Sequence, residues 1–294
     1  MANLKEIRTR IASIRTTKQV TAAMKMVAAS RLKRAQDAIL CIRPYSARLY
    51  DMLLTAMQEH AEAEEADFSS PYLEVREPRR TLAVLITSNR GLCGSFNAAI
   101  CRASIELTMQ ECGAVPDAFF AIGKHAERFV KARGFTLAGE ANALHDGLHF
   151  AAVSTLAEQL MQEFVAEKWD RVMLIYNQFK NVSTQTPLME QFLPVELPDV
   201  PVDLTGIQPN YIMEPSSSAL LGQIIPLSLK VQLFKALTDS TAAEHAARMK
   251  AMHQATDNAE ELLRDLTVAF NKARQSSITN EIIEVTGGAE ALKQ

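Results

Sequence analysis

From Ala242 onward, small or apolar residues recur at alternating steps of three and four: Ala242, Ala246, Met249, Met252, Thr256, Ala259, Leu263, Leu266, Phe270 and Ala273. That spacing keeps one seam on one face of an α-helix and follows the heptad logic of a coiled coil. Neither Gly nor Pro interrupts the run between Pro226 and Gly287. Ser216 to Gly288 therefore reads as one helix of roughly 70 residues, about 105 Å long at 1.5 Å per residue. A rod of this kind needs a partner helix to cover its seam. The N-terminal stretch carries the matching pattern: Leu4, Ile7, Ile11 and Ile14 open a seam, and Ala28, Leu32, Ala35, Ile39, Ile42, Leu49, Leu53 and Ala56 resume it. Between them the register positions hold Lys18, Thr21 and Lys25, with Val20, Met24 and Val27 displaced beside them. Polar seam residues weaken a coiled coil, so something besides the second helix is expected against that segment. Pro44 is expected to kink or restart this first helix.

The middle of the chain changes pattern. Gln58 to Ser70 is acidic and small-residue-rich and reads as a frayed helix end running into a linker. Thr81–Thr87, Asp117–Ile122 and Arg171–Tyr176 are short continuous apolar runs, the pattern of strands buried on both faces. Asn97–Cys112, Lys124–Arg133 and Val153–Lys168 read as helices between them, and Val182–Leu193 as an edge strand. Strands alternating with helices predict a compact α/β domain with a mainly parallel sheet. The expected fold class is thus α/β plus a long antiparallel coiled coil. Its divisions are an N-terminal helix over 1–58, a linker over 59–80, a central Rossmann-like domain over 81–215 and a C-terminal helix over 216–294. Because the first helix leads into the α/β domain and the second leaves it, the two must run antiparallel. The second is longer, so its tip, with Ile278, Ile282, Ile283 and Val285, is expected to project and to need a sheath from another protein.

Composition narrows the class. Of 294 residues, 48% are hydrophobic and 22% charged, which is the profile of a folded chain. Net charge is −3, so the chain as a whole is not a polyanion binder, yet residues 1–48 hold eleven Lys or Arg against Glu6 and Asp37 alone. That basic helix fits acidic partner loops or a nucleic-acid backbone, and charge by itself does not separate the two. No secretory signal is expected at the charged N-terminus, and no stretch is expected to reach the apolarity of a membrane span. Cys41, Cys93, Cys101 and Cys112 form no CxxC pair and read as reduced thiols.

No catalytic constellation is found. Arg90-Gly91-Leu92-Cys93-Gly94-Ser95-Phe96-Asn97 sits between a strand and a helix, where a phosphate loop would lie, but lacks the closing Lys-Ser/Thr and does not fit GxGxxG. A tight turn using Gly for its backbone freedom is the expectation. His145 and His149 with Asp146 read as a polar loop rather than a metal site, and no cofactor is expected.

Specific motifs at both ends add a resemblance. Lys5-Glu6-Ile7-Arg8, Ile11-Ala12-Ser13-Ile14 and the run Thr21 to Ser30 resemble the N-terminal helix of the ATP synthase gamma subunit family. Glu244 to Met249, Ala255 to Ala259 and Asn271 to Glu284 are similar to its C-terminal helix, with Ile278, Thr279, Glu281, Glu284, Gly288 and Ala289 meeting the closing signature. Thr87 to Asn97 matches the central motif, with Asn89 where Asp is commoner.

The resemblance implies a non-catalytic central rotor stalk of F-type ATP synthase. Its implied partners are a ring of three alpha and three beta subunits, an epsilon subunit and a membrane ring of c subunits, at the cytoplasmic face of a bacterial inner membrane. Catalysis would lie on beta. It further implies that Met24, Arg248, Gln275 and Thr279 contact beta, and that Tyr211 and Glu214 face the c ring or epsilon. The segment inserted in chloroplast and cyanobacterial relatives is absent, so thiol control is not expected. Two other classes remain beside it: a coiled-coil scaffold or nucleic-acid arm, which predicts salt-dependent binding to DNA or RNA, and a Rossmann-type enzyme, which predicts nucleotide binding by the α/β domain.

Overall fold

The computed structural model describes residues 4–62, 70–195, 214 and 216–291. Contacts divide the chain into two compact units, residues 1–29 with 248–294, and residues 30–247. Two long helices contribute to both: α1 (Leu4–Glu62) and α5 (Ser217–Ala291).

The first unit is an antiparallel pair. Arg8 lies over the Phe270 ring at 5.7 Å, Lys18 pairs with Glu260 at 3.2 Å, and the Thr256 hydroxyl donates to Thr21 Oγ1 at 2.9 Å. As the number on one helix rises, that on the other falls by nearly the same amount, which fixes both direction and register. Leu4, Ile7, Ile11 and Ile14 are half-buried in the seam, as are Leu263, Leu266, Phe270 and Ala273, while Ala28, Met252 and Ala259 are buried. The apolar spacing therefore marks the buried stripe on both helices.

In the second unit, five strands form one sheet in the order β3-β2-β1-β4-β5: β1 (Thr81–Ile86), β2 (Ala118–Ile122), β3 (Leu137–Glu140), β4 (Arg171–Phe179) and β5 (Gln185–Leu193). The first four are parallel, and β5 runs antiparallel to β4. Alternation assigns the faces. Leu82, Val84 and Ile86 of β1 pack with Leu49 and Leu53 of α1, with Val153, Leu160 and Phe164 of α4 (Phe150–Val165), and with Ile225, Leu229 and Leu233 of α5. Ala83 and Leu85 face Ile100 of α2 (Phe96–Cys112) and Ala126 and Val130 of α3 (Lys124–Arg133). Both faces are covered, so β1 and β2 are buried at every residue. A short 3-10 turn, Asn142–Asp146, follows β3.

Several expectations are corrected. Helix α1 continues through Pro44 to Glu62 without restarting. Pro44 and Leu40, whose carbonyl loses its donor, both lie on the exposed side where water can replace the bond. The edge strand begins at Gln185 rather than Val182, because the Asn181 side chain accepts from the Ser183 and Thr184 amides and holds a turn there. Strand β3 has no counterpart in the sequence reading. Among the described residues, α5 is long and apolar enough to cross a membrane by length and composition, contrary to expectation. Of its most apolar window, 44% is buried inside the fold.

Candidate partner-contact surfaces

The strand-to-helix turn after β1 closes on itself. Ser88 N donates to Asn97 Oδ1 at 3.0 Å, while Asn97 Nδ2 donates to Ser88 Oγ at 2.8 Å and to Cys93 Sγ at 3.2 Å. Leu92 and Gly94 both take positive φ, 61° and 60°. Asn97 thus ties the first residue of the turn to its buried Cys93. Gly123, at φ 107°, lets the β2–α3 turn approach β1, since a Cβ there would run into the Thr87 carbonyl. Among the described residues no group of three His, Cys, Asp or Glu side chains is placed to hold a metal ion.

The surfaces of the first unit are of a different kind. On α1, Lys18, Thr21, Met24 and Lys25 are half-buried, whereas Val20, Met26 and Val27 are exposed. Two of the three polar seam residues are met from the other long helix: Thr256 faces Thr21 and Glu260 faces Lys18. The hydrogen bond and charge of Lys18 hold the Glu260 carboxyl below the usual carboxylate range. The exposed apolar group is therefore Val20, Met26 and Val27, outside the seam, and it is these that face away from α5's stripe. At the other end, Ile278, Ile282, Ile283 and Val285 are all exposed, Val285 at 71%. By register Leu4 lies near Arg274, so α5 from Gln275 to Ala291, about 25 Å at 1.5 Å per residue, has no described α1 residue opposite it.

The residues implied as partner contacts do not form one site. Met24 is half-buried on α1 and Arg248 half-buried on α5. Gln275 and Thr279 are exposed one turn apart, and the Thr279 hydroxyl donates to the Gln275 carbonyl at 2.9 Å. From Arg248 to Thr279 is about 46 Å along the helix. Glu214 is exposed just before α5, and Tyr211 lies outside the described residues.

Sequence reasoning missed a polar cluster in the second unit. Arg43 donates to Asp239 Oδ1 at 2.8 Å and to the Phe179 carbonyl at 2.8 Å. The Asp239 side chain is 1% exposed, and burial raises its pKa against the opposing pull of Arg43. Beside it, the Tyr176 hydroxyl donates to Glu190 Oε1 at 2.8 Å and Lys235 pairs with the same oxygen at 3.4 Å. Burial, and then the Glu190 charge, push the Tyr176 phenol up. Arg43, Glu190 and Lys235 also line a cleft of about 990 Å³ along β5. No signal in the sequence links Arg43 to Asp239, 196 positions apart.

Two long terminal helices that pair antiparallel, separated in sequence by a doubly wound α/β domain and exposing apolar groups on the paired segment, define a coiled-coil stalk subunit. The family profile described as ATP synthase matches residues 3–292. The chain belongs to the ATP synthase gamma-chain family. It is 48% identical over 292 residues to the ATP synthase gamma chain of Christiangramia forsetii, covering 99% of each chain. To that of Geotalea uraniireducens it is 38% identical over 294 residues, covering 100% of each. Its fold is similar to a chain in the Euglena gracilis mitochondrial ATP synthase OSCP/F1/c-ring structure, with TM-score 0.66, 18% identity and coverage of 98% of this chain and 94% of that one. A chain of the Tetrahymena thermophila mitochondrial ATP synthase central stalk and c-ring structure is also similar, with TM-score 0.58, 24% identity and coverage of 80% and 99%.

Proposed function

We propose that this chain is the central rotor stalk of an F-type ATP synthase, turning inside a ring of three alpha and three beta subunits. In that role it couples ion flow through the membrane c ring to ATP synthesis or hydrolysis on beta, and catalyses nothing itself. The observation that carries this reading is the antiparallel pair whose apolar tip, Ile278 to Val285, stays exposed. Such a surface asks for a sleeve, and apolar contact is non-directional, so the tip can turn within it.

One asymmetric rod at the centre of a threefold ring presents a different face to each beta. Differential contact is what lets a partner shift a conformational equilibrium, and by linkage nucleotide binding pushes back on the rod. In this reading Met24, Arg248, Gln275 and Thr279 touch beta at different heights. Glu214 and Tyr211 meet the c ring or epsilon. The helices Leu4–Glu62 and Ser217–Ala291 form the axle, and the α/β domain lies between them in sequence. The subunit sits peripherally at the cytoplasmic face of the membrane and takes part in proton transport only through its partners.

The test is an affinity-tagged copy of the full chain expressed with its neighbouring subunits. Alpha and beta are expected to co-purify, and R248A/Q275A/T279A is expected to lower coupled ATPase while the isolated chain stays helical. Recovery of the chain without alpha and beta rejects the rotor reading. Unchanged turnover in the triple variant rejects the contact assignment. A nucleic-acid arm would instead bind DNA or RNA with a steep salt dependence.

A further inference from the structure

The second unit joins α1 and α5 to the sheet mainly through apolar side chains: Leu49, Leu53 and Ala56 from α1, and Ile225, Leu229, Leu233 and Leu237 from α5. Such burial chooses which face each helix turns to the sheet, through many small, non-directional contacts. Charge-assisted hydrogen bonds have direction. The described contacts place five such groups together. Arg43 reaches from α1 to Asp239 on α5 and to the carbonyl of Phe179, the last residue of β4. One turn earlier on α5, on the same helix face, Lys235 reaches Glu190 of β5, which also accepts from Tyr176 of β4.

We propose that Arg43, Asp239, Lys235, Glu190 and Tyr176 act as a torsional lock that keeps α1 and α5 from turning or sliding against the sheet under load. These are positioning residues, and the proposal rests on the rotor reading, since a chain that bears no torque needs no lock. The geometry favours a lock over an ordinary stabilising pair. Arg43 stays 43% exposed and the Lys235 and Glu190 side chains 25% and 23%, so solvent screens both pairs and each adds little stability. What the cluster supplies is direction across four elements: the Arg43 guanidinium ties two helices and a strand end together, and Lys235 adds β5.

The test uses the whole ATP synthase complex reconstituted in vesicles, with R43M/D239L as the principal variant. Apolar replacement keeps the packing volume while removing the directional bonds. Assembly with alpha and beta and ATP hydrolysis in detergent are expected to stay within twofold of the parent. Protons pumped per ATP hydrolysed are expected to fall at least threefold, a split that loss of stability alone would not produce. Pumping per ATP equal to that of the parent overturns the lock. Where R43M/D239L does not assemble, K235M removes the second tie, from a side chain that is 25% exposed. A lowered pumping ratio in K235M then supports the lock, and an unchanged one overturns it. Failure of the parent chain to co-purify with alpha and beta would overturn the rotor reading and the lock with it.

Discussion

The hydroxyls of Thr21 and Thr256 meet at 2.9 Å across the seam of the antiparallel helix pair, at a position where a coiled coil ordinarily places an apolar side chain. Each hydroxyl also has a carbonyl of its own helix within reach, Lys18 O at 3.1 Å for Thr21 and Met252 O at 2.7 Å for Thr256. Neither is left unsatisfied when the other is removed. T21V alone is therefore expected to change the unfolding free energy of the chain by less than about 1 kcal/mol. T21V/T256V, which puts two apolar groups in contact, is expected to be neutral or stabilising. Thermal and urea unfolding of the two variants checks this, and a loss above about 2 kcal/mol in T21V contradicts it.

The Lys18–Glu260 pair is partly open to solvent, at 35% and 46% side-chain exposure. It is expected to contribute little to stability, and that contribution is expected to shrink in high salt. K18M and its parent, compared in low and in molar salt, should differ measurably only in the former. A difference that persists undiminished would mean the pair is shielded from water.

Asp239 makes a pH prediction. Its folded pKa is raised by burial, so folding favours the protonated carboxyl over the ionised one. The contribution to stability is greatest below the ordinary aspartate value, about 3.9, and is lost as pH rises through the raised folded value. D239N has no such dependence. The melting temperature of the parent minus that of D239N is expected to fall from pH 4 to pH 8, and a rise over that range contradicts the assignment. R43M, which leaves the carboxyl without its guanidinium, is expected to lower stability at neutral pH and to do so less in acid.

Burial separates folding from function in the apolar residues. Leu53 is 1% exposed among the sheet-facing side chains, so L53A is expected to cost about 2–5 kcal/mol. Ile282 and Ile283 are 57% and 61% exposed, so I282A/I283A is expected to leave the melting temperature of the isolated chain unchanged. In the assembled complex the same pair is expected to lower coupled ATPase, because there the tip is sheathed. A loss of stability in the isolated chain would instead mean that the tip packs on its own protein.

Much of this architecture is legible from residue patterns because its elements are long or strongly periodic. The steps of three and four from Ala242 to Ala273 mark the buried stripe, and the runs at Thr81 and Arg171 mark strands covered on both faces. Strand β3, Leu137–Glu140, is not legible: it has four residues, none fully buried, and a Gly and an acid where a strand would show apolar side chains. Helix α4 ends at Val165 rather than Lys168, where Glu167 turns to φ 57°, a local choice that composition does not mark. The answer to Lys18 and Thr21 needed the register with Glu260 and Thr256, and Arg43 needed a partner 196 positions away. Met24, Arg248, Gln275 and Thr279 came only from the family resemblance, since nothing in their spacing distinguishes them from their neighbours on each helix.

Rotation is the central claim, and watching it is its most direct test. Cys41 is an exposed thiol on α1 and can carry a bead while the alpha and beta subunits are fixed to a surface. With ATP supplied, the bead is expected to turn in one direction with three dwells per revolution, one for each beta. A bead that only fluctuates without direction, in a complex that is hydrolysing ATP, would contradict the account.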